Sequence, residues 1–275
     1  MYEIYWNIKE KPFRNVTDKR FFFYAETYEE AYLRLLYNIK ESQGLFCLMG
    51  EGGCGKSILL KIFAQDLIEQ GYRVVFIQNP TISPQELLQE ILYELGQAYS
   101  SSSKIELLKE LKKYAAAVDN KNCVLVVEDA HLIKDFATFQ EIRLLLNMES
   151  NNRLLFSPIL VGKPELAPLL DKTVLKDRIG LQYELLPLNY RQTGEYIYYR
   201  MNQAGAAREI FTVDALKEIY TVSHGIPREI NNICDLALLL GYGENAIVID
   251  RNLIVKAVSD LKNPTGRKVN LHQKV

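Results

Sequence analysis

The stretch from residue 50 to residue 57 constrains this chain more than any other part of its sequence. It fits the pattern G-x-x-x-x-G-K-[ST], a loop whose glycines let several backbone N–H groups point at one phosphate group. The apolar run Leu45–Met49 predicts a buried strand before the loop. Residues 58–70 have a helical pattern that Gly71 closes. This strand–loop–helix context predicts a nucleotide-binding loop.

Individual members of the loop have distinct expected roles. Lys56 is spaced to reach the β- and γ-phosphates, and the hydroxyl of Ser57 can ligate Mg²⁺. The helix that begins here adds the positive end of its dipole to the same anion. We therefore predict ATP and Mg²⁺ as cofactors. The residues predicted to bind nucleotide in this stretch are Gly50, Gly52, Gly53, Cys54, Gly55, Lys56, Ser57 and Ile58.

The composition is that of an ordinary globular protein and limits the other function classes. The 275 residues carry a net charge of −1, so no overall charge draws the chain to nucleic acid or to an acidic membrane. The four cysteines are far apart in sequence, which favours buried reduced thiols over disulfides or zinc ligands. Neither a membrane-length apolar run nor a signal peptide is evident, so we expect a cytoplasmic location.

Strands alternate with helices over the first two thirds of the chain, which predicts a parallel sheet covered on both faces. From Tyr190 onward only helical patterns remain, at 192–204, 213–222, 227–242 and 251–261. The predicted strands are 45–49, 73–77, 123–127, 154–161 and 181–185, and the predicted helices between and around them are 27–40, 58–70, 84–95, 104–117 and 136–148.

These patterns predict four regions. Residues 1–43 form an aromatic segment and a helix that pack on the core, residues 44–188 the α/β core, residues 189–262 a helical lid, and residues 263–275 a flexible tail. A serine-rich flexible connection is expected at 96–103. The aromatic residues of the first segment either pack in the core or line a base pocket beside the phosphate loop.

A second chemical motif follows the third predicted strand. The apolar run Cys123–Val127 ends in Glu128 and Asp129, the arrangement in which one carboxylate holds Mg²⁺ and another orients the attacking water. Combined with the phosphate loop, this pair predicts a nucleotide-hydrolysing site. His131, just beyond the acids, is interpreted as a local hydrogen-bonding residue.

The phosphate loop, the acidic strand end and the helical C-terminal part together resemble an AAA+ ATPase. Within that class the chain is similar to the ExeA-like ATPases of the type II secretion assembly family, also seen with pilus and polysaccharide-export systems. The resemblance covers nearly the whole chain and implies a five-stranded parallel αβα core with a C-terminal helical lid domain. The matching stretches are Lys11-Pro12-Phe13, Asn79-Pro80, residues 160–166 (LVGKPEL), Asp177-Arg178-Ile179, residues 225–231 (GIPREIN) and residues 234–239 (CDLALL).

The resemblance also implies residue roles. Arg228 matches the sensor-2 arginine that touches the γ-phosphate, and Arg178 matches the arginine finger that reaches a neighbouring subunit's site. Both are therefore expected to act with Glu128 and Asp129 in catalysis within a homo-oligomeric ring or filament. The family order of the two acids is Asp then Glu, inverted here, and Lys163 stands where the family has glutamine. Fuller ExeA proteins continue into a membrane helix and a peptidoglycan-binding domain, past the stretch matched here.

Three function classes remain open on the sequence alone. One is an ATPase that drives or gates assembly of a secretion or envelope machine, peripheral to the inner membrane through a partner. The second is a DNA-bound ATPase of the transposition-regulator type, which the near-zero net charge and the lack of a recognition-helix module disfavour. The third is a scaffold that binds ATP and barely hydrolyses it, which the inverted acids would produce.

Overall fold

The computed structural model describes residues 1–99, 103–117, 122–150 and 153–262. Contacts between residues divide the chain into two compact units. One contains Glu26–Gly52 and Lys56–Leu186, and the other contains Met1–Ala25, Gly53–Gly55 and the described residues from Pro187 onward. Part of the predicted connection at 96–103 and all of the predicted tail at 263–275 lie outside the described residues.

The first unit is built on a parallel sheet of strands β1 Leu45–Met49, β2 Arg73–Ile77, β3 Cys123–Val127, β4 Phe156–Val161 and β5 Ile179–Glu184. Its spatial order is β2-β3-β4-β1-β5, which confirms the predicted five-stranded parallel sheet. Every residue of β1 and β3 is buried. Because side chains alternate between the two faces of a strand, such a run means that both faces are covered.

Strand β4 differs from its predicted span. It begins at Phe156, two residues later than expected, and Pro158 lies inside it opposite Leu125 of β3. Pairing of β4 with β1 begins only at Ile159, the residue after the proline, which has no N–H to donate. The preceding residues instead form a two-residue antiparallel ladder, Glu149–Ser150 with Arg153–Leu154. Elements this short carry no periodicity that a sequence pattern could reveal.

Helices of the α/β unit follow the predicted spans to within two residues at each end. The helix after β2 starts as expected, with the Ser83 hydroxyl accepting from the Glu86 amide and the Glu86 carboxylate accepting from the Ser83 amide. Gly71, with φ of +87°, closes the helix after the phosphate loop. The sequence patterns do not reveal a short helix that follows β4. The helices are Glu26–Lys40, Lys56–Glu69, Pro84–Glu94, Lys104–Ala117, Phe136–Leu146 and Leu166–Leu170.

The second unit is helical, and its first 25 residues form a segment that we call the N-terminal strap (Met1–Ala25). Five strap aromatics are buried: Tyr2, Trp6, Phe13, Phe21 and Phe22. The sequence predicts that residues 1–43 pack together on the α/β core, whereas the strap groups with the C-terminal helices because its rings and hydrogen bonds engage them. The helices of this unit are Tyr2–Tyr5, Tyr190–Gln203, Val213–Ser223, Pro227–Gly243 and Arg251–Lys262.

All four cysteines are buried, and burial raises the pKa of Cys47 and of Cys123 to about 12. Those two thiols therefore stay protonated at neutral pH. Among the described residues, no helix combines the length and the apolar character needed to cross a membrane.

Candidate nucleotide-binding site

The predicted phosphate loop follows β1, and the geometry requires glycine at two of its positions. Gly50 has φ of +150°, and a Cβ there would lie 2.6 Å from the carbonyl oxygen of Leu185. Gly53 has φ of +92°, and a Cβ there would lie 2.9 Å from the Cβ of Arg228 and 3.0 Å from Cγ2 of Ile226. A side chain at either position would force the neighbouring chain away.

The charged end of the loop lies on the first turn of the following helix. The Nζ of Lys56 donates to the carbonyl oxygens of Gly50, at 2.6 Å, and Glu51, at 3.0 Å. These bonds hold the ammonium group over the loop, where it would meet an anion bound by the loop amides. Ser57 is exposed beside it. The other predicted loop contacts differ in exposure: Gly52 is exposed, Gly55 and Ile58 are half-buried, and Cys54 is buried.

The two acids after β3 occupy different environments. Glu128 is half-buried, its amide donates to the Ile77 carbonyl at 2.9 Å, and its Oε1 is buried without a hydrogen-bond partner among the described residues. Asp129 is exposed and has a left-handed backbone with φ of +48°, a conformation that aspartate adopts more readily than most residues. A buried carboxylate oxygen without a partner calls for a cation or water as its ligand.

The sheet brings these acids and the phosphate loop to one edge. Strands β1 and β3 are parallel and separated only by β4, so their carboxyl ends lie about 10 Å apart. In the described residues no group of three or more His, Cys, Asp or Glu side chains could hold a metal by itself. A hydroxyl and one or two carboxylates, completed by phosphate oxygens and water, are the set that Mg²⁺ takes in nucleotide sites. Ser57 and Glu128 fit that set.

His131 connects the acidic segment to the end of β4. Its Nδ1 accepts from the Lys163 amide at 3.4 Å, which agrees with the predicted hydrogen-bonding role of the imidazole. The amide of Gly162 donates to the Leu48 carbonyl of β1 at 3.0 Å. The side chain of Lys163 is exposed. The end of β4 is thus held between β1, which leads into the phosphate loop, and the acidic segment.

Arg228 begins a helix of the second unit, as predicted. It follows Pro227 in the first turn of Pro227–Gly243, and its amide donates to the Gly53 carbonyl at 3.3 Å. Its side chain is exposed, and its guanidinium makes no hydrogen bond or ion pair with any residue that the structure describes. The backbone contact joins the start of this helix to the glycine turn of the loop.

Arg178 lies near the amino end of β1, whereas the phosphate loop follows the carboxyl end of the same strand. It immediately precedes β5, whose first residue Ile179 pairs with Leu45 at the start of β1, while Glu184 pairs with Met49 at the end of β1. The length of β1 therefore separates Arg178 from the loop by about 15 Å. The side chain is exposed, and over the described ranges its guanidinium has no hydrogen-bonding or ion-pair partner. Arg178 cannot reach the loop of its own chain.

Sequence reasoning did not single out a buried polar cluster in the second unit. Arg200, Tyr196 and Asn231 are 5%, 6% and 5% exposed. One sequence signal could have identified it: Arg200 falls four residues after Tyr196 on the apolar face of an amphipathic helix, where a charged side chain must find partners.

Comparison with known proteins identifies the fold and shows which proteins the chain resembles. Residues 39–170 match the family described as an AAA domain. The chain is 31% identical over 273 residues to General secretion pathway protein A of Aeromonas hydrophila, an alignment that covers 96% of this chain and 49% of that protein. It is 22% identical over 267 residues to an uncharacterized HTH-type transcriptional regulator of Methanocaldococcus jannaschii, covering 65% of that protein. The chain thus spans about half of the first relative and about two thirds of the second.

Solved structures share the fold at low identity. Cdc6p from Pyrobaculum aerophilum superimposes with a TM-score of 0.70 at 18% identity, covering 90% of this chain and 70% of that one. Drosophila ORC bound to DNA gives a TM-score of 0.70 at 16% identity, covering 92% of this chain and 65% of that one. Identities this low establish architecture and nothing about ligands or partners. Residues 39–170 therefore form an AAA domain with the AAA+ P-loop fold, and nearly the whole chain is similar to General secretion pathway protein A.

Proposed function

We propose that this protein binds Mg-ATP at residues 50–57, hydrolyses it, and works as a homo-oligomer that drives or gates assembly of a secretion, pilus or polysaccharide-export type machine. The observation that carries the proposal is the buried Oε1 of Glu128, which has no hydrogen-bond partner in the part of the chain that the structure describes and lies at the same edge of the sheet as the phosphate loop. A Mg²⁺ ion held at this edge would satisfy that oxygen, and an unsatisfied buried carboxylate is costly.

The residues divide the work as follows. The loop amides and Lys56 bind the phosphates, and Ser57 and Glu128 hold Mg²⁺, in part through water. Bound Mg²⁺ neutralises charge on the phosphate oxygens. Asp129 orients the attacking water and accepts its proton. Arg228 contacts the γ-phosphate.

Arg178 is proposed to complete the site of a neighbouring copy. It lies about 15 Å from its own phosphate loop, at the other edge of the sheet, and its exposed guanidinium is available to a second molecule. A guanidinium suits this role because it spreads its charge over several donors that match phosphoryl oxygens. An arginine supplied in trans makes hydrolysis depend on assembly.

The inverted acids are proposed to slow hydrolysis while leaving Mg-ATP binding intact. Both positions keep a carboxylate, so the charge at the metal is unchanged. Glu128 is one methylene longer than the family's aspartate, and Asp129 is one methylene shorter than the family's glutamate. A water-orienting group displaced by about 1 Å can cost on the order of 10²-fold in rate.

The role in a secretion-type machine is supported by the homology to General secretion pathway protein A. With the location proposed from the sequence, the protein would act in the cytoplasm, peripheral to the inner membrane through a partner. Particle size and phosphate release, measured together with and without ATP and with and without DNA, test the proposal. We expect ATP to increase the size and phosphate to be released without DNA. Salt-dependent DNA binding would instead indicate the DNA-bound class, and an increase in size without phosphate release would indicate a scaffold.

A further inference from the structure

The buried guanidinium of Arg200 binds the N-terminal strap to the helix Tyr190–Gln203. Its Nε donates to the carbonyl oxygen of Pro12 at 2.6 Å, and one terminal nitrogen donates to the carbonyl oxygen of Arg14 at 3.0 Å. The other terminal nitrogen donates to the Tyr196 hydroxyl at 2.8 Å. The guanidinium also lies 5.2 Å from the centre of the Phe21 ring. All of these partners belong to the second unit.

From Tyr196 the hydrogen bonds continue to the helix that carries Arg228. The Tyr196 hydroxyl donates to Oδ1 of Asn231 at 2.8 Å. Burial raises the pKa of this tyrosine in spite of the neighbouring guanidinium, so the hydroxyl keeps its proton for that bond. The Nδ2 of Asn231 donates to Oδ1 of Asn15, and the Nδ2 of Asn15 donates to Oδ1 of Asn232. The hydrogen bonds therefore run from the strap through Arg200 and Tyr196 to the helix Pro227–Gly243. Asn15 of the strap then bonds two residues of that helix.

The last connection runs from this helix to the phosphate loop. Asn231 lies three residues after Arg228, so the two side chains are on the same face of the helix in successive turns. The amide of Arg228 donates to Gly53, and the side chains of Arg228 and Ile226 close over that glycine. We call the path Arg200–Tyr196–Asn231 the polar relay. It ends one helical turn from the contact between Arg228 and the loop.

Burying the polar groups of the relay costs free energy, because they lose their hydration. Burying a guanidinium requires that its donors be satisfied, and apolar side chains of similar size often stabilise such a site equally well. What a satisfied polar network adds is a defined arrangement, because each bond fixes a distance and a direction. Here the elements so fixed are the strap and the helix that presents Arg228.

We propose that Tyr196 and Arg200 are positioning residues that set the placement of Arg228 by tying its helix to the N-terminal strap. The relay rests on the proposed function, since Arg228 is the residue through which it acts. The strap thereby becomes part of the apparatus that places a phosphate-contacting arginine.

Tyr196→Phe tests this most cleanly, since it removes one oxygen from the relay and keeps the ring packed. The matched control is Tyr199→Phe on the same helix, whose hydroxyl also bonds the strap, to the Arg20 carbonyl at 2.9 Å, outside the relay. We expect Tyr196→Phe to lower ATP turnover about 10- to 100-fold, the cost of misplacing a catalytic group. ADP affinity should change less than about twofold, since ADP lacks the phosphate that Arg228 contacts. Tyr199→Phe should leave both quantities near those of the parent protein.

The double variant Tyr196→Phe/Arg228→Ala decides whether the effect passes through Arg228. If it does, Tyr196→Phe adds no further loss of turnover once Arg228 is absent. Losses that multiply, or an equal loss in Tyr199→Phe, would overturn the inference while leaving the proposed role of Arg228 intact. Normal turnover in Arg228→Ala alone would overturn that role and the relay with it. If Tyr196→Phe does not fold, Asn15→Ala takes its place with the same expectations, because Asn15 accepts the bond by which the relay residue Asn231 holds its helix to the strap.

Discussion

At the scale of single residues, the proposed site depends on two atoms, the Nζ of Lys56 and the Oε1 of Glu128. The Lys56 ammonium donates to two loop carbonyls, which hold it against the backbone of the loop. The buried Oε1 of Glu128 is the complementary feature, an acceptor without a hydrogen-bond partner among the described residues. Motif spacing predicts both residues, because the chemistry of phosphate and Mg²⁺ binding restricts which residue types can stand there. Their burial and partners depend on packing across the sheet, and no local pattern gives those.

Replacing Lys56 with alanine is expected to weaken Mg-ATP binding about 10- to 100-fold. A hydrogen bond to a charged group contributes about 1.5–3 kcal/mol, and each 1.4 kcal/mol corresponds to about tenfold in affinity. Titration with a fluorescent ATP analogue measures the change. Lys61→Ala, an exposed lysine on the same helix, is the matched control and should bind like the parent protein. Equal affinity in a folded Lys56→Ala variant would show that nucleotide binds elsewhere.

Restoring the family order of the acids, with Glu128→Asp and Asp129→Glu together, is expected to speed ATP hydrolysis at similar ATP affinity. The exchange moves the water-orienting carboxylate outward by one methylene, toward the position that the family uses. The left-handed backbone at residue 129 suits aspartate better than glutamate, so the melting temperature should be recorded beside the rate. Slower hydrolysis in a stable double variant would mean that the inverted order is adapted to this site and that our role assignment is wrong.

At the scale of secondary-structure elements, the phosphate loop depends on a helix that comes much later in the sequence. Gly53 has a left-handed backbone and almost no room, whereas a Cβ placed on the neighbouring Gly52 would meet no atom within 4 Å. The loop is therefore shaped by Ile226 and Arg228, which lie more than 170 residues further along the chain.

Gly53→Ala is expected to lower the melting temperature by several degrees, and Gly52→Ala is expected to leave it nearly unchanged. A residue held in a disfavoured backbone region costs about 1–3 kcal/mol, and each kcal/mol shifts the melting temperature by roughly 2–4 °C in a chain of this size range. Calorimetry of both variants without nucleotide measures the difference. Equal melting temperatures would indicate that the loop can move away from Arg228 without cost.

Sequence patterns predicted the elements well where local chemistry determines them. The buried runs of β1 and β3, the capping box at Ser83 and the closing glycine at Gly71 each carry their signal within a few residues. The grouping of the strap with the C-terminal helices could not be read in the same way. It arises from contacts such as that of the Trp6 indole with the Leu238 carbonyl, more than 200 residues apart.

At the scale of the whole molecule, the two ends of the strands carry different halves of the proposed active site. The phosphate loop and the acids lie at the carboxyl edge, and Arg178 lies at the amino edge. If Arg178 acts as proposed, one copy does not complete its own site, and hydrolysis is expected to require a neighbouring copy. Isologous pairing would close after two subunits, whereas head-to-tail contacts lead to a ring or a filament.

Mixing two inactive variants tests this requirement directly. Arg178→Ala lacks the donated arginine and Lys56→Ala lacks the phosphate loop's lysine, so each alone should lose turnover, about 10³-fold or more for the arginine. With equal amounts and random head-to-tail assembly, roughly a quarter of the interfaces would join an intact loop to an intact Arg178. Lys176→Ala, an exposed residue of the same turn, controls for damage to this surface and should remain active.

The decisive measurement is phosphate release by the mixture compared with each variant alone, with particle size recorded in the same samples. We predict that the mixture releases phosphate well above the sum of its components, while Arg178→Ala and Lys56→Ala separately stay near background. Co-assembly of the two variants without any recovery of phosphate release would contradict an active site completed between copies.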